Sequence, residues 1–211
     1  MSSVGSVRGL ESGKRPALII SECQRGILDP SMASMGELAG QASSRGIFGR
    51  IATLSSRFRE VGAPVVHVHI GHRADFGGCA PTSPLMASSR KHRTMIAGTP
   101  ETESMPEIAP HDSDFVSSRL SGLGMWFATD LDGILRNEKV DTLVFVGVST
   151  NIAIFGGALG GVDRGYQCVI AEDCTAGATA DTHAWMVTNA LPMLATITTG
   201  DAVAAVIRPQ G

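Results

Sequence analysis

Short apolar runs recur along the chain, and polar or glycine residues bound each of them. They lie at residues 17–21, 64–70, 142–148 and 167–171, with two weaker runs at 114–118 and 195–199. Continuous apolar runs of this length are typical of strands that are buried on both faces of a sheet. The pattern therefore predicts six strands.

Helical periodicity separates these strands. Apolar residues at spacings of three and four fill residues 47–61 and end at Gly62, and the same pattern returns at residues 131–135. A last helix is predicted over residues 185–194, where Pro192 should kink or shorten it. Strands that alternate with helices favour an α/β fold, with a parallel sheet covered by helices on both sides.

The remaining segments suggest how the domain is bounded. Residues 1–15 are small, polar and aperiodic, which predicts a mobile N-terminal tail. A chain of 211 residues fits a single domain, which we place at residues 16–208. Residues 73–110 are rich in Pro, Ser, Thr and Met, so we predict long loops there, and long loops often carry function.

Composition and charge narrow the classes of function. Charged residues make up 18% of the chain and the formal net charge is −3, so we expect no nucleic-acid partner. No apolar run reaches the ~18 residues of a transmembrane helix, so we expect no membrane partner. Four cysteines without a CxxC pair indicate free thiols. We therefore expect a soluble cytoplasmic protein.

Polar residues gather where the predicted strands end. In open parallel sheets, ligands bind beyond the carboxyl ends of the strands, so we expect these side chains to converge. They are Glu22, Gln24, His69, His72, Arg119, Ser149, Thr150, Asn151 and Asp173.

Glu22 is the first candidate for chemistry. It directly follows an apolar run, so its carboxylate should be partly desolvated, and Arg119 is a plausible partner. The two could form a structural ion pair, or Glu22 could act as a general acid, a general base or a substrate anchor. Residues 149–151 open a helix, where Ser, Thr and Asn serve as ordinary N-caps and where a carboxylate can also bind.

Histidines and cysteines give weaker hypotheses. His67 and His69 alternate with valines on one face of a predicted strand, which favours packed or hydrogen-bonded rings over metal ligands. We predict no metal and no cofactor. Cys23 lies beside Glu22, whose negative charge should raise the pKa of the thiol, so it is a poor nucleophile.

Several segments match one known pattern when they are taken together. The most specific is Thr-Leu-Val-Phe-Val-Gly-Val-Ser-Thr-Asn at residues 142–151. The others are residues 16–24, 62–68, 129–136, 163–166 and 172–173. From about residue 15 to residue 206, the chain resembles the isochorismatase-like hydrolases, often called cysteine hydrolases. The resemblance implies a three-layer αβα fold with a mostly parallel six-stranded sheet, a homodimer or homotetramer, and a cis peptide between Val148 and Ser149.

The resemblance also bears on the catalytic residues. The family's usual Asp, Lys and Cys correspond here to Glu22, Arg119 and Ala153. Without sulfur at position 153, the covalent thioester route is closed. Isochorismatase itself cleaves a vinyl ether without the cysteine, and the resemblance implies comparable acid–base chemistry here. Glu22 would be the acid or base, and Arg119 would bind an anionic or polar small substrate.

The predicted substrate-binding residues combine the strand ends with the resemblance. They are Gln24, His69, Gly122, Trp126, Phe127, Ser149, Asn151 and Ala153. Trp126 and Phe127 would form either an apolar pocket wall or part of an oligomer interface.

Three alternatives to this hydrolase remain open from the sequence. The chain could be a catalytically inactive family member that acts as a small-molecule or protein binding module. A relocated thiol such as Cys23 or Cys174 could be the nucleophile. Ala153 could also have been introduced in place of a native cysteine.

Overall fold

The computed structural model describes residues 6–33 and 35–209. Six strands form one sheet in the order β3-β2-β1-β4-β5-β6, and every neighbouring pair is parallel. The strands are β1 (Pro16–Ser21), β2 (Val65–Ile70), β3 (Phe115–Arg119), β4 (Thr142–Val148), β5 (Gln167–Ala176) and β6 (Thr196–Thr198). Each predicted apolar run contributes one strand, and the predicted α/β class is confirmed.

Helices flank the sheet. They are α1 (Arg25–Leu28), α2 (Gly36–Ser44), α3 (Ile47–Glu60), α4 (Pro84–His92), α5 (Leu131–Asn137), α6 (Phe155–Asp163), α7 (Ala180–Trp185) and α8 (Gly200–Val206). Within the described residues, none of them is long and apolar enough to cross a membrane. The predicted last helix is divided: α7 is followed by a π-helical turn, Met186–Ala190, and a 3-10 turn, Leu191–Met193. Pro192 lies in the 3-10 turn, where its missing N–H prevents a regular helix.

Residues 73–110 differ from the long loops that we predicted, because they contain α4. Ser83 caps this helix by accepting a hydrogen bond from Met86 N at 3.2 Å, and Pro84 occupies the first turn. A serine cap followed by proline is a genuine helix-start pattern. The apolar periodicity that follows it is too weak to predict the helix.

The core has two halves, one on each face of the sheet. Leu18 and Ile20 of β1 belong to the half covered by α2, α3 and α8. Ala17 and Ile19 belong to the half covered by α5 and α6. Because β1 is buried on both faces, its sequence is continuously apolar and does not alternate.

The described part of the expected N-terminal tail lies against the domain. Val7 and Leu10 are buried in the same half of the core as β1 residues Leu18 and Ile20. Thr142 Oγ1, at the start of β4, donates a hydrogen bond to the Gly9 carbonyl at 2.8 Å. Residues 6–15 of the expected mobile tail are therefore packed on the domain, because two apolar side chains three positions apart reach the core. Residues 1–5 of the expected tail lie outside the described residues.

Candidate active site

A cavity of about 280 Å³ lies beyond the carboxyl ends of strands β1 to β4. The chain runs from β1 outward to β2 and β3, and then returns to place β4 on the other side of β1. Parallel sheets bind ligands at such a reversal of strand order. The structure brings together five of the polar residues predicted at the strand ends, which line this cavity: Glu22, His72, Arg119, Ser149 and Asn151.

Glu22 and Arg119 form a buried ion pair on the cavity wall. Arg119 Nη2 contacts Glu22 Oε1, and the side chains are only 4% and 16% exposed for Arg119 and Glu22, respectively. The Glu22 backbone has a φ of +50°, a left-handed conformation that is uncommon for a side chain of this size. Its N–H donates to the Val68 carbonyl at 2.9 Å, so the turn after β1 is tied to β2. Arg119 Nε donates to the Gly122 carbonyl at 3.2 Å, which places Gly122 at the cavity as well.

One nitrogen of this guanidinium has an unused hydrogen-bond donor. Arg119 Nη1 is buried and has no hydrogen-bond partner among the described residues. A buried donor without an acceptor destabilises a protein by about 1–3 kcal/mol. Arg119 lines the cavity, so an oxygen atom of a ligand that came within reach of Nη1 would satisfy this donor while Nη2 kept its contact with Glu22.

The turn after β4 forms another part of the cavity wall. The Val148–Ser149 peptide bond is cis, and a π-helical turn, Thr150–Ile154, leads into α6. Ser149 and Asn151 both line the cavity. Asn151 Oδ1 accepts a hydrogen bond from Ala178 N at 3.1 Å, which fixes this side chain against the segment before α7.

A polar network anchors this turn from behind. Thr150 Oγ1 and His183 Nδ1 are 2.9 Å apart, and His183 Nε2 is 3.6 Å from Glu172 Oε2. Arg45 Nη2 donates to the same Glu172 oxygen at 2.9 Å. Burial, followed by the nearby Arg45 charge, lowers the pKa of His183. The network joins the residue after α2, strand β5 and helix α7 to the turn and so holds the cavity wall in place.

Two predicted binding residues have structural roles instead. Gln24 is fully buried, and its side chain hydrogen-bonds the backbone of Ile70 and Thr102 at 2.9 to 3.0 Å. His69 Nε2 pairs with Ser104 Oγ at 3.0 Å, and burial lowers the pKa of this ring to about 4. Neither side chain is among those that line the cavity.

Three further predicted residues also lie away from the cavity. Trp126 stacks on Tyr166 with ring centroids 6.0 Å apart, and its Nε1 donates to the Gly157 carbonyl at 3.0 Å. Phe127 is 76% exposed, and Ala153 is buried inside the π-helical turn. Because Trp126 and Phe127 face elsewhere, the apolar wall must come from other residues.

Aliphatic and methionine side chains make that wall, and no sequence motif marks them. They are Ile27, Met35, Leu38, Ile70, Leu85, Met86, Met95, Leu123 and Ile152. Three of them come from the segment at 73–110, whose methionine content is the one signal that could have found them. His72 also lines the cavity, and its Nδ1 is 2.8 Å from the Leu120 carbonyl oxygen. A carbonyl oxygen only accepts, so Nδ1 carries the proton.

No thiol lines the cavity within the described chain. All four cysteines are buried, and Cys23 Sγ donates to the Ser21 carbonyl at 3.5 Å. Burial raises the pKa of Cys23 and Cys174, and it raises the pKa of Cys168 to about 12. The thiolate form that a nucleophile requires is therefore disfavoured at these three positions.

The histidines of β2 are engaged within the protein. His67 Nε2 lies 3.3 Å from Asp114 Oδ2, while Arg59 binds the same carboxylate. Among residues 6–33 and 35–209, no three His, Cys, Asp or Glu side chains are grouped so that they could hold a metal ion.

Comparison with known proteins gives one consistent result. The model of the isochorismatase domain family matches residues 16–202. An uncharacterized isochorismatase family protein, YecD of Escherichia coli O157:H7, is 27% identical over 194 residues, which cover 88% of this chain and 93% of the relative. Maleamate amidohydrolase of Pseudomonas putida is 26% identical over 177 residues, covering 81% of this chain and 76% of the relative. The crystal structure of a cysteine hydrolase from Pseudomonas syringae superposes with a TM-score of 0.82 at 22% identity, covering 97% of each chain.

Proposed function

Because the chain belongs to the isochorismatase family, we propose that it is a small-molecule hydrolase that uses Glu22 as its acid–base group and forms no covalent cysteine intermediate. The observation that carries the proposal is the buried Glu22–Arg119 pair on the cavity wall. A carboxylate in a cavity at the carboxyl edge of a parallel sheet is well placed for proton transfer to a bound molecule.

The cysteine positions support the non-covalent route. By resemblance, the family's nucleophile corresponds to Ala153, which has no sulfur. A relocated thiol has little support, because the four cysteines are buried and none lines the cavity in the described structure. Water is then the nucleophile that remains.

In the proposed reaction, the Glu22 carboxylate accepts a proton from a water molecule while the water oxygen attacks the substrate. Glu22 then returns the proton to the leaving atom, so its protonation state is restored after each cycle. Arg119 Nη1 donates to a substrate oxygen and stabilises the negative charge that develops there. Arg119 Nη2 meanwhile keeps Glu22 in position.

The first test is a substrate panel assayed with the wild type and with Glu22→Gln. The panel contains vinyl ethers, N-carbamoyl compounds, simple amides and cyclic esters. General acid–base catalysis contributes about 10²–10⁴-fold, so we expect kcat to fall by at least about 10²-fold in Glu22→Gln. Glu60→Gln is the matched control, because the Glu60 side chain is 64% exposed on α3, and it should retain full activity.

Treatment with iodoacetamide complements the panel. Activity should survive alkylation, because the proposed mechanism uses no thiol. Loss of activity on alkylation, or undiminished turnover by Glu22→Gln, would contradict the proposal. Silence of the folded wild type across the whole panel would favour the alternative of a small-molecule binding module.

A further inference from the structure

We infer that this site takes neutral aliphatic carbonyl compounds, such as short-chain esters and lactones, in preference to carboxylate-bearing substrates. The inference rests on the proposed function and specifies its substrate class. It comes from two features of the same cavity: its wall is largely aliphatic, and its two charged side chains form an ion pair with no net charge. It replaces the expectation of an anionic substrate, which rests on Arg119 and on the helix start at residues 149–153.

The wall favours a flexible apolar substrate. Leu85 and Met86 come from α4, Met95 from the segment after it, and Ile27 from α1. Methionine side chains adapt their shape to irregular ligands. Within the described residues, the only ring that lines the cavity is the His72 imidazole, so the site lacks the flat aromatic surface on which a planar ring would stack.

The charges disfavour an anion. Glu22 and Arg119 neutralise each other, and no other Asp, Glu, Lys or Arg of the described chain lines the cavity. A substrate carboxylate would therefore add a third, unbalanced charge to a largely apolar space. Desolvating an unpaired charge is far more costly than burying a neutral carbonyl that accepts a hydrogen bond.

The unused guanidinium nitrogen suits a carbonyl oxygen. Arg119 lines the cavity and its Nη1 has no partner in the described part of the chain, so we expect the bound substrate carbonyl to accept a hydrogen bond from it. For an ester, water adds to the carbonyl carbon as Glu22 takes a water proton. The carbon–oxygen bond to the alkoxide then breaks, and Glu22 protonates that oxygen. The products are an acid and an alcohol, and nothing is oxidised or reduced.

A matched pair of inhibitors tests the substrate class without turnover. 2-Heptanone and hexanoate have the same number of non-hydrogen atoms, and they differ by a methyl group in place of a charged oxygen. Binding to the wild type, measured by isothermal titration calorimetry, should favour the ketone by at least about tenfold. Tighter binding of hexanoate, or no binding of 2-heptanone up to its solubility limit, would overturn the inference.

Matched variants locate the binding. Leu85 and Leu159 are comparably exposed, at 38% and 43%, but only Leu85 lines the cavity. Leu85→Glu should raise the Kd of 2-heptanone about tenfold, because it removes apolar contact and adds a charge at the wall. Leu159→Glu should leave the Kd within about twofold of the wild-type value. Equal effects of the two variants would contradict binding in this cavity.

Turnover separates this inference from the proposed function. Ethyl butanoate and monoethyl succinate share the same ester group, and only the second carries a carboxylate. Acid release, followed by pH-stat titration, should be faster with ethyl butanoate and should depend on Glu22. Glu22-dependent turnover that prefers monoethyl succinate would refute the substrate class alone. Turnover of either ester that persists in Glu22→Gln would refute the catalytic role alone.

Discussion

At the scale of single residues, the burial of His69 makes the stability of the folded protein depend on pH. Desolvation, with a smaller effect from His67, lowers the pKa of His69 to about 4. The folded protein therefore keeps this ring neutral at about pH 5, whereas the unfolded chain binds a proton below about pH 6.5. Stability from this residue is complete above about pH 6.5 and is lost as the pH falls toward about 4. The pKa values of His67 and His183 are also lowered by burial, so they act in the same direction.

We predict that His69→Gln weakens this pH dependence. The glutamine retains a group that can hydrogen-bond Ser104, but it does not titrate. Between about pH 7 and about pH 5, the wild type should lose about 1–2 kcal/mol more of its unfolding free energy than the variant does. Urea denaturation at both pH values measures the difference. His92→Gln is the control, since His92 is exposed on α4, and it should behave as the wild type.

At the scale of elements, the backbone conformation at the carboxyl end of β4 requires a glycine. Gly147 has a φ of +95°, and a Cβ there would lie 2.4 Å from the Ser21 carbonyl oxygen. In this conformation a Cβ on Gly147 would point at the backbone of the paired strand β1, so no side chain fits there. Glu22 and Ser149 follow the carboxyl ends of these two paired strands, and both line the cavity.

Gly147→Ala should destabilise the protein by more than about 2 kcal/mol, because both the backbone conformation and the available space exclude Cβ. The control is Gly133→Ala in α5, where a Cβ would have no other atom within 4 Å and the helix favours alanine. That variant should be neutral or more stable by up to about 1 kcal/mol. Thermal unfolding of both variants makes the comparison, and similar melting temperatures would contradict the argument.

Elements also differ in how far the sequence predicts them. The strands follow from their apolar runs, because burial on both faces leaves a continuous pattern. Glu22 and Arg119 follow from their places at strand ends, although no pattern specifies the contact between them. The cavity wall could not be predicted, because Leu85 and Met95 reach it only through the tertiary placement of α4 and the chain after it. The sequence leaves Trp126 either in that wall or at an oligomer interface, and the structure packs its ring on Tyr166, away from the cavity.

At the scale of the whole molecule, the carboxyl ends of the strands form the candidate active site, and the amino ends contribute to stability. The cavity occupies the carboxyl ends of the strands. At the amino ends, the described N-terminal residues pack on the core: Gly9 accepts from Thr142, and Arg15 N donates to Asp141 Oδ1 at 3.1 Å. Changes in the N-terminal segment should therefore alter stability without altering the chemistry.

Leu10→Ala tests this separation. Leu10 is 7% exposed and lies in the core, so its truncation should lower the unfolding free energy by about 2–3 kcal/mol. Leu159→Ala makes the same chemical change at a 43% exposed helix position and should shift stability by no more than about 0.5 kcal/mol. Urea denaturation gives both values, and binding of 2-heptanone at a temperature where both variants are folded gives the second readout. An unchanged stability of Leu10→Ala would mean that the N-terminal segment is not docked. If the N-terminal segment affects stability alone, the folded cavity of Leu10→Ala is unchanged and its Kd for 2-heptanone equals that of the wild type. A change in this Kd that accompanies the loss of stability would instead mean that the two ends of the sheet are coupled.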